Sequence, residues 1–165
     1  MSTLELELQD VESHAAFGRI LARQLRLGDV VALTGELAAG KTTLVQSLGE
    51  AMGIADMSSP TFGIIHEHAI STGGRLMHVD AYRVHGAHEL IDLGWDEWAG
   101  SDSAIVCVEW ADRVRDLLAG HDVLFIELLH AEEGRVALIQ WGDASRLLSL
   151  AASGDTAKIT KRWPT

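Results

Sequence analysis

Val30-Val31-Ala32-Leu33-Thr34-Gly35-Glu36-Leu37-Ala38-Ala39-Gly40-Lys41-Thr42 is the stretch on which the reading of this chain turns. Val30 to Thr34 forms a short apolar run of the kind found in strands covered on both faces. The next eight residues fit G-x-x-x-x-G-K-[ST] without mismatch, and a helical pattern then runs to about Met52, where Gly53 ends it. Strand, glycine-rich loop and helix in that order build a phosphate cradle. The glycines let the backbone curl so that successive N–H groups point inward, and the helix adds the positive end of its dipole. Gly35, Glu36, Leu37, Ala38, Ala39, Gly40, Lys41, Thr42 and Thr43 are therefore the expected nucleotide contacts. Lys41 reaches the β and γ oxygens and the Thr42 hydroxyl ligates magnesium, which makes ATP and Mg2+ the expected ligands.

Outward from the loop, Thr3 to Leu8 alternates apolar and polar residues as a half-buried edge strand does. Asp10 then caps a helix whose Phe17, Ile20, Leu21 and Leu25 share one face, ended by Gly28. Thr61 to Ile70 and Arg75 to Asp80 read as a hairpin around Ser71-Thr72-Gly73-Gly74, preceded by a loop at Ser58-Ser59-Pro60. Ala87 onward suggests two short helices broken at Gly94, with Trp95 and Trp98 on a partly buried face that serves either the core or a partner. Ala104 to Val108 is a second buried strand, stopping at Glu109, and Ala111 to Leu118 reads as helical. Asp122 to Leu129 and Arg135 to Trp141 form another hairpin, and Ala144 to Ala152 a last helix. The sum is an α/β chain with a single three-layer P-loop NTPase-like domain over 1–155, built on a mixed, mainly parallel central sheet and two hairpins. The basic segment 156–165 is expected to be a flexible tail.

Composition narrows the partners. With 165 residues, 47% hydrophobic and 22% charged, the chain has the makings of one globular core. Its net charge of −11 has the wrong sign for gripping a nucleic-acid backbone, so DNA and tight direct RNA binding are not expected. No apolar run is long enough to cross a bilayer, and MSTLELELQD lacks the layout of a signal peptide, which points to the cytoplasm without membrane association. The single cysteine, Cys107, lies in an apolar run and reads as a buried, inert thiol. Only three residues are lysines; Lys158 and Lys161 stand near the end beside Arg162, leaving Lys41 alone in the first 157 residues.

Hydrolysis asks for more than a cradle: a carboxylate near the metal and a group that positions water. RLMHVD and AIVCVE each end in an acid, which sets Asp80 and Glu109 at the carboxyl edge of a sheet, where ligands bind in open α/β folds. Thr61 is either the start of a strand or a hydroxyl that approaches the γ-phosphate as a switch does. Asp80-Ala81-Tyr82-Arg83 is either a charge-stabilising group or a surface turn. His66-x-His68 and His85-x-x-His88 lack a third ligand in metal-site spacing.

The order GELAAGKTT, SSPTF, HVDAYR, HELIDLGWDEW, VEW resembles the bacterial TsaE family, the small phosphate-loop ATPases of tRNA threonylcarbamoyladenosine biosynthesis, from about Leu8 to Arg135. The resemblance implies an ATPase that joins TsaB and TsaD and supports threonylcarbamoyl transfer to adenosine 37 of tRNAs reading codons that begin with A. The tRNA is then met only through the complex. The resemblance also implies Thr42 and Glu109 as magnesium ligands, Asp80 as the acid of hydrolysis, Thr61 as the switch threonine and Trp110 as the tryptophan that follows the metal glutamate. Adenine contacts fall near Val11 and Glu12, with Arg135 in the late hairpin. Ala38 stands where the family has Gly, tolerable if its φ is negative, and Ala111 where it has Pro. A small-metabolite kinase and a nucleotide-sensing adaptor are the alternatives; the arginine-rich lid that a kinase would need is not evident.

Overall fold

In a computed structural model that describes residues 2–57, 63–153 and 159–162, eight strands form one sheet in the order β3-β4-β5-β2-β6-β7-β1-β8. The strands are β1 (Thr3–Leu8), β2 (Val30–Gly35), β3 (Ile65–Ala69), β4 (Arg75–Asp80), β5 (Ala104–Glu109), β6 (Val123–His130), β7 (Arg135–Trp141) and β8 (Ile159–Arg162). The helices are α1 (Val11–Gln24), α2 (Lys41–Ala51), α3 (Ala87–Asp92), α4 (Trp95–Trp98), α5 (Arg115–Leu118) and α6 (Ala144–Ala152). The central block β4-β5-β2-β6 is parallel, and the hairpins β3–β4 and β6–β7 add antiparallel strands.

Local chemistry explains these elements. Asp10 accepts from Ser13 N at 2.8 Å while Ser13 Oγ accepts from Asp10 N at 3.0 Å, a reciprocal cap that starts α1. The apolar faces of α1, α2 and α6 then cover one side of the sheet, burying Leu4, Leu6, Leu33, Ile126 and Ile139 among others. On the other side α3, α4 and α5 cover the parallel strands around Val79, Val106 and Val108. Helices on both faces make the domain three layers deep. Trp95 and Trp98 belong to the second core, at 1% and 5% exposure, so neither offers a partner face.

The structure departs from the sequence-based expectations in four places. β1 is not an edge strand, because β7 and β8 pair with it on either side. The first hairpin strand begins at Ile65, with residues 58–62 outside the described set. The stretch after β5 is a 3-10 turn (Ala111–Val114) followed by α5, since Val114 at φ −130° interrupts a continuous helix. Of the segment expected as a tail, Ile159–Arg162 pairs antiparallel with β1, and Arg162 donates to Glu7 at 2.9 Å. Among the described residues no helix is long and apolar enough to cross a membrane.

Candidate functional site

Register brings the two strand-end acids together. Asp80 and Glu109 are partners across the parallel pair β4–β5, and Glu109 is in turn the partner of Leu33 in β2, two residues before the glycine-rich loop. The loop therefore opens beside both carboxylates. Its two glycines are required by space: a Cβ on Gly35 (φ 140°) would lie 2.4 Å from Leu128 O, and one on Gly40 (φ 104°) would lie 2.7 Å from His14 Nε2. Gly40 caps α2 and no side chain completes the cap, so the helix presents its first amides to the loop's interior.

A cavity of about 400 Å³ lies between the loop (Leu37 to Thr43), Asp80, Tyr82, Glu109 and Trp110. Lys41, 4% exposed, donates to Gly35 O at 2.7 Å and Glu36 O at 2.9 Å, and its Nζ stands 4.0 Å from the centre of the Trp110 ring. Burial pushes the Lys41 pKa below its ordinary value, against the opposing pull of Glu109, Asp80 and Asp112. Thr42 Oγ1 donates to Glu109 Oε1 at 2.7 Å, while Glu109 Oε2 meets His78 Nε2 at 2.5 Å. Asp80 Oδ1 accepts from Tyr82 N at 3.0 Å, so the Asp80-Ala81-Tyr82-Arg83 stretch is a turn that also orients a carboxylate. Tyr82 packs against Trp110 with ring centres 4.9 Å apart. Trp110 itself is left-handed at φ 57°, a conformation rare for an aromatic residue, and it follows Glu109 directly.

On the other flank of the loop a cavity of about 290 Å³ is lined by Val11, His14, Thr43 and Arg135 among others. Val11 is 82% exposed at its rim. Arg135 turns its guanidinium to backbone, donating to Gly134 O at 2.8 Å and Ala38 O at 3.2 Å. That contact bears on Ala38, whose φ is 62° and not negative as its tolerance required. The loop holds an alanine in a glycine conformation, and Arg135 anchors the carbonyl of that residue. His130 Nε2 lies 3.3 Å from Leu37 O, so both strands of the β6–β7 hairpin touch the loop. A larger trough of about 590 Å³ beside Phe125 and Leu138 lies on the open half of the sheet, apart from these groups.

Thr61 lies outside the described residues. Two histidines at the site carried no assignment from sequence: His14 behind Gly40, and His78 beneath Glu109. His78 had a signal, a lone imidazole two residues before Asp80 in a buried strand and hence on the same face. His14 had none, because its approach to Gly40 is tertiary. Among the described residues no group of three or more His, Cys, Asp or Glu could hold a metal by itself. Thr42 Oγ1 with Glu109 Oε1 is instead a pair of hard oxygen donors, which suits a cation completed by ligand oxygens and water. Cys107 is buried, and desolvation pushes its thiol pKa far up, away from reactivity.

Loop, strand and acid pair together define a domain of the P-loop NTPase-like fold. A crystal structure described as that of Bacillus subtilis YdiB superposes with a TM-score of 0.69 and 27% identity, covering 92% of this chain and 93% of that one. The family model for threonylcarbamoyl adenosine biosynthesis protein TsaE matches residues 8–150, and the chain belongs to that family. A Streptomyces coelicolor protein named tRNA threonylcarbamoyladenosine biosynthesis protein TsaE is 51% identical over 104 residues, 61% of this chain and 69% of that protein. A Bacillus subtilis protein of the same name is 31% identical over 156 residues, 94% of this chain and 89% of that protein.

Proposed function

We propose that this chain is a Mg2+-dependent ATPase subunit of tRNA threonylcarbamoyladenosine formation, acting in the cytoplasm with TsaB and TsaD homologues and meeting tRNA through them. The observation that carries the reading is the convergence of Lys41, Thr42, Asp80 and Glu109 on one cavity beside the glycine-rich loop. Membership of the TsaE family supplies the pathway.

In this reading the loop amides and the start of α2 bind the phosphates, and Lys41 exchanges its contacts with Gly35 O and Glu36 O for phosphate oxygens. Thr42 and Glu109 would hold the magnesium ion, which supplies charge neutralisation at the β and γ oxygens. The two side chains meet at 2.7 Å, a hydrogen bond that an arriving cation would replace. Asp80, fixed through Oδ1 by Tyr82 N, orients the attacking water with its remaining oxygen. Thr61 serves as the switch hydroxyl at the γ-phosphate. Val11 and Arg135 flank the base, Val11 by apolar contact at the rim and Arg135 by fixing the loop.

Reconstitution tests the whole reading. Purified chain, TsaB and TsaD homologues, unmodified tRNA and a threonylcarbamoyl donor should give repeated rounds of modification only when ATP, Mg2+ and this chain are all present. Equal product without the chain overturns it.

A further inference from the structure

His78 sits in the middle of β4, and it is only 6% exposed. Its strand neighbours on that face are Leu76 and Asp80, and its register partner in β5 is Cys107. A leucine or phenylalanine would fill this place without a buried polar atom. The imidazole instead leaves Nδ1 buried with no hydrogen-bond partner, which carries a desolvation cost. What it has in exchange is one hydrogen bond, Nε2 to Glu109 Oε2 at 2.5 Å; on the β3 side its ring stands 6.2 Å from that of its register partner His66. A carboxylate oxygen accepts, so His78 Nε2 is the donor of this bond.

Glu109 is 3% exposed and is held from two sides, by His78 at Oε2 and by Thr42 Oγ1 at Oε1. The grip at Oε2 fixes the rotation of the carboxylate and turns Oε1 toward Thr42. We infer that His78 is a positioning residue for Glu109, holding its carboxylate in the orientation that receives a divalent cation. This rests on the reading above that Thr42 and Glu109 form the cation site. Partners that orient a ligating carboxylate typically contribute roughly 10- to 100-fold in metal affinity, which is the size of effect expected here.

The test reads metal occupancy directly, by electron paramagnetic resonance titration of Mn2+ into the protein–ADP complex. His78→Ala should weaken Mn2+ uptake by about 10- to 100-fold while leaving ADP affinity in excess chelator unchanged. His78→Gln, whose amide nitrogen reaches about as far as Nε2, should recover most of the loss, and the shorter His78→Asn should not. Should His78→Ala fail to fold, the Gln and Asn pair still carries the comparison. Wild-type Mn2+ affinity in a folded His78→Ala variant, with only its thermal midpoint lowered, would show a purely structural role and overturn the inference. So would a folded Gln variant as weak as the Asn variant. If wild-type protein with ADP takes up no Mn2+, the cation-site reading fails first and this inference falls with it.

Discussion

At the amino-terminal end of β2, Asp29 is buried against Arg146, whereas at the carboxyl end of the same strand Lys41 is buried without such a partner. Arg146 donates to Asp29 Oδ1 at 2.7 Å, to Oδ2 at 2.6 Å and to Gln24 O at 2.8 Å, and it stacks 3.9 Å from the centre of the Trp141 ring. The hydrogen bonds to Asp29 raise its pKa above the ordinary arginine value. Asp29 also accepts from Arg26 N at 2.7 Å. Both charges there are answered from within the fold, and the result ties α6 to the central strand. Lys41 has two backbone carbonyls and an aromatic face, and among the described residues no carboxylate lies within ion-pair distance of it. One end of the strand uses its charges to hold the fold together, and the other keeps a charge available to a ligand.

Substitutions should therefore act oppositely at the two ends. Asp29→Ala strips Arg146 of its bidentate partner and leaves it only the more distant Asp122 carboxylate at 3.9 Å, which should cost about 3 kcal/mol in denaturant unfolding, with nucleotide affinity of the folded fraction unaltered. Lys41→Ala should lower ATP affinity by about 100-fold, close to 2.7 kcal/mol, in calorimetric titration, with a thermal midpoint equal to or above wild type because a buried, poorly paired cation is gone. A lowered midpoint for Lys41→Ala would undo the contrast. Asp80→Ala should keep near-normal ATP binding while hydrolysis falls at least ~10-fold, about 1.4 kcal/mol of barrier, in a phosphate-release assay. Unchanged turnover would remove its catalytic role.

Smaller effects come from the loop itself. Ala38→Gly relieves a left-handed alanine at φ 62° and should raise stability by up to about 1 kcal/mol, read as a shift in denaturation midpoint. His14 supplies a pH dependence. Burial, then the nearby Arg135, holds its pKa below the ordinary imidazole value, so the unfolded chain takes up a proton at higher pH than the folded one. This contribution is intact above about pH 6.5 and is lost as pH falls below it. His14→Gln should flatten that part of the stability profile between about pH 7.5 and 5.5, measured by urea midpoints.

The ligand end of this contrast was legible in the sequence; the Asp29–Arg146 end was not, because it joins residues 117 positions apart in the chain. The loop, its strand and its helix are contiguous, so composition and local pattern carry them. Asp80 and Glu109 were legible because each ends an apolar run, and a strand's carboxyl end is a defined place in an α/β sheet. Strand order was not, because pairing β1 with β8 or β6 with β2 joins segments far apart in the chain. The same holds for the side chains packed against the site. His14 reaches Gly40 and Arg135 reaches Ala38 only once α1 and the β6–β7 hairpin have docked. The positive φ of Ala38 and Trp110 likewise depends on neighbours that local propensity does not contain, and propensity alone pointed the other way for Ala38.

The decisive measurement is isothermal titration of ATP into wild-type protein, once with Mg2+ and once with excess chelator. A lysine held ready for phosphate beside an oxygen-donor pair should give saturable binding in both arms, tighter with the metal, and Thr42→Ala should lose the metal-dependent gain. Absence of binding heat in either arm, from protein shown by circular dichroism to be folded, would leave the buried charge of Lys41 without a ligand and refute the assignment.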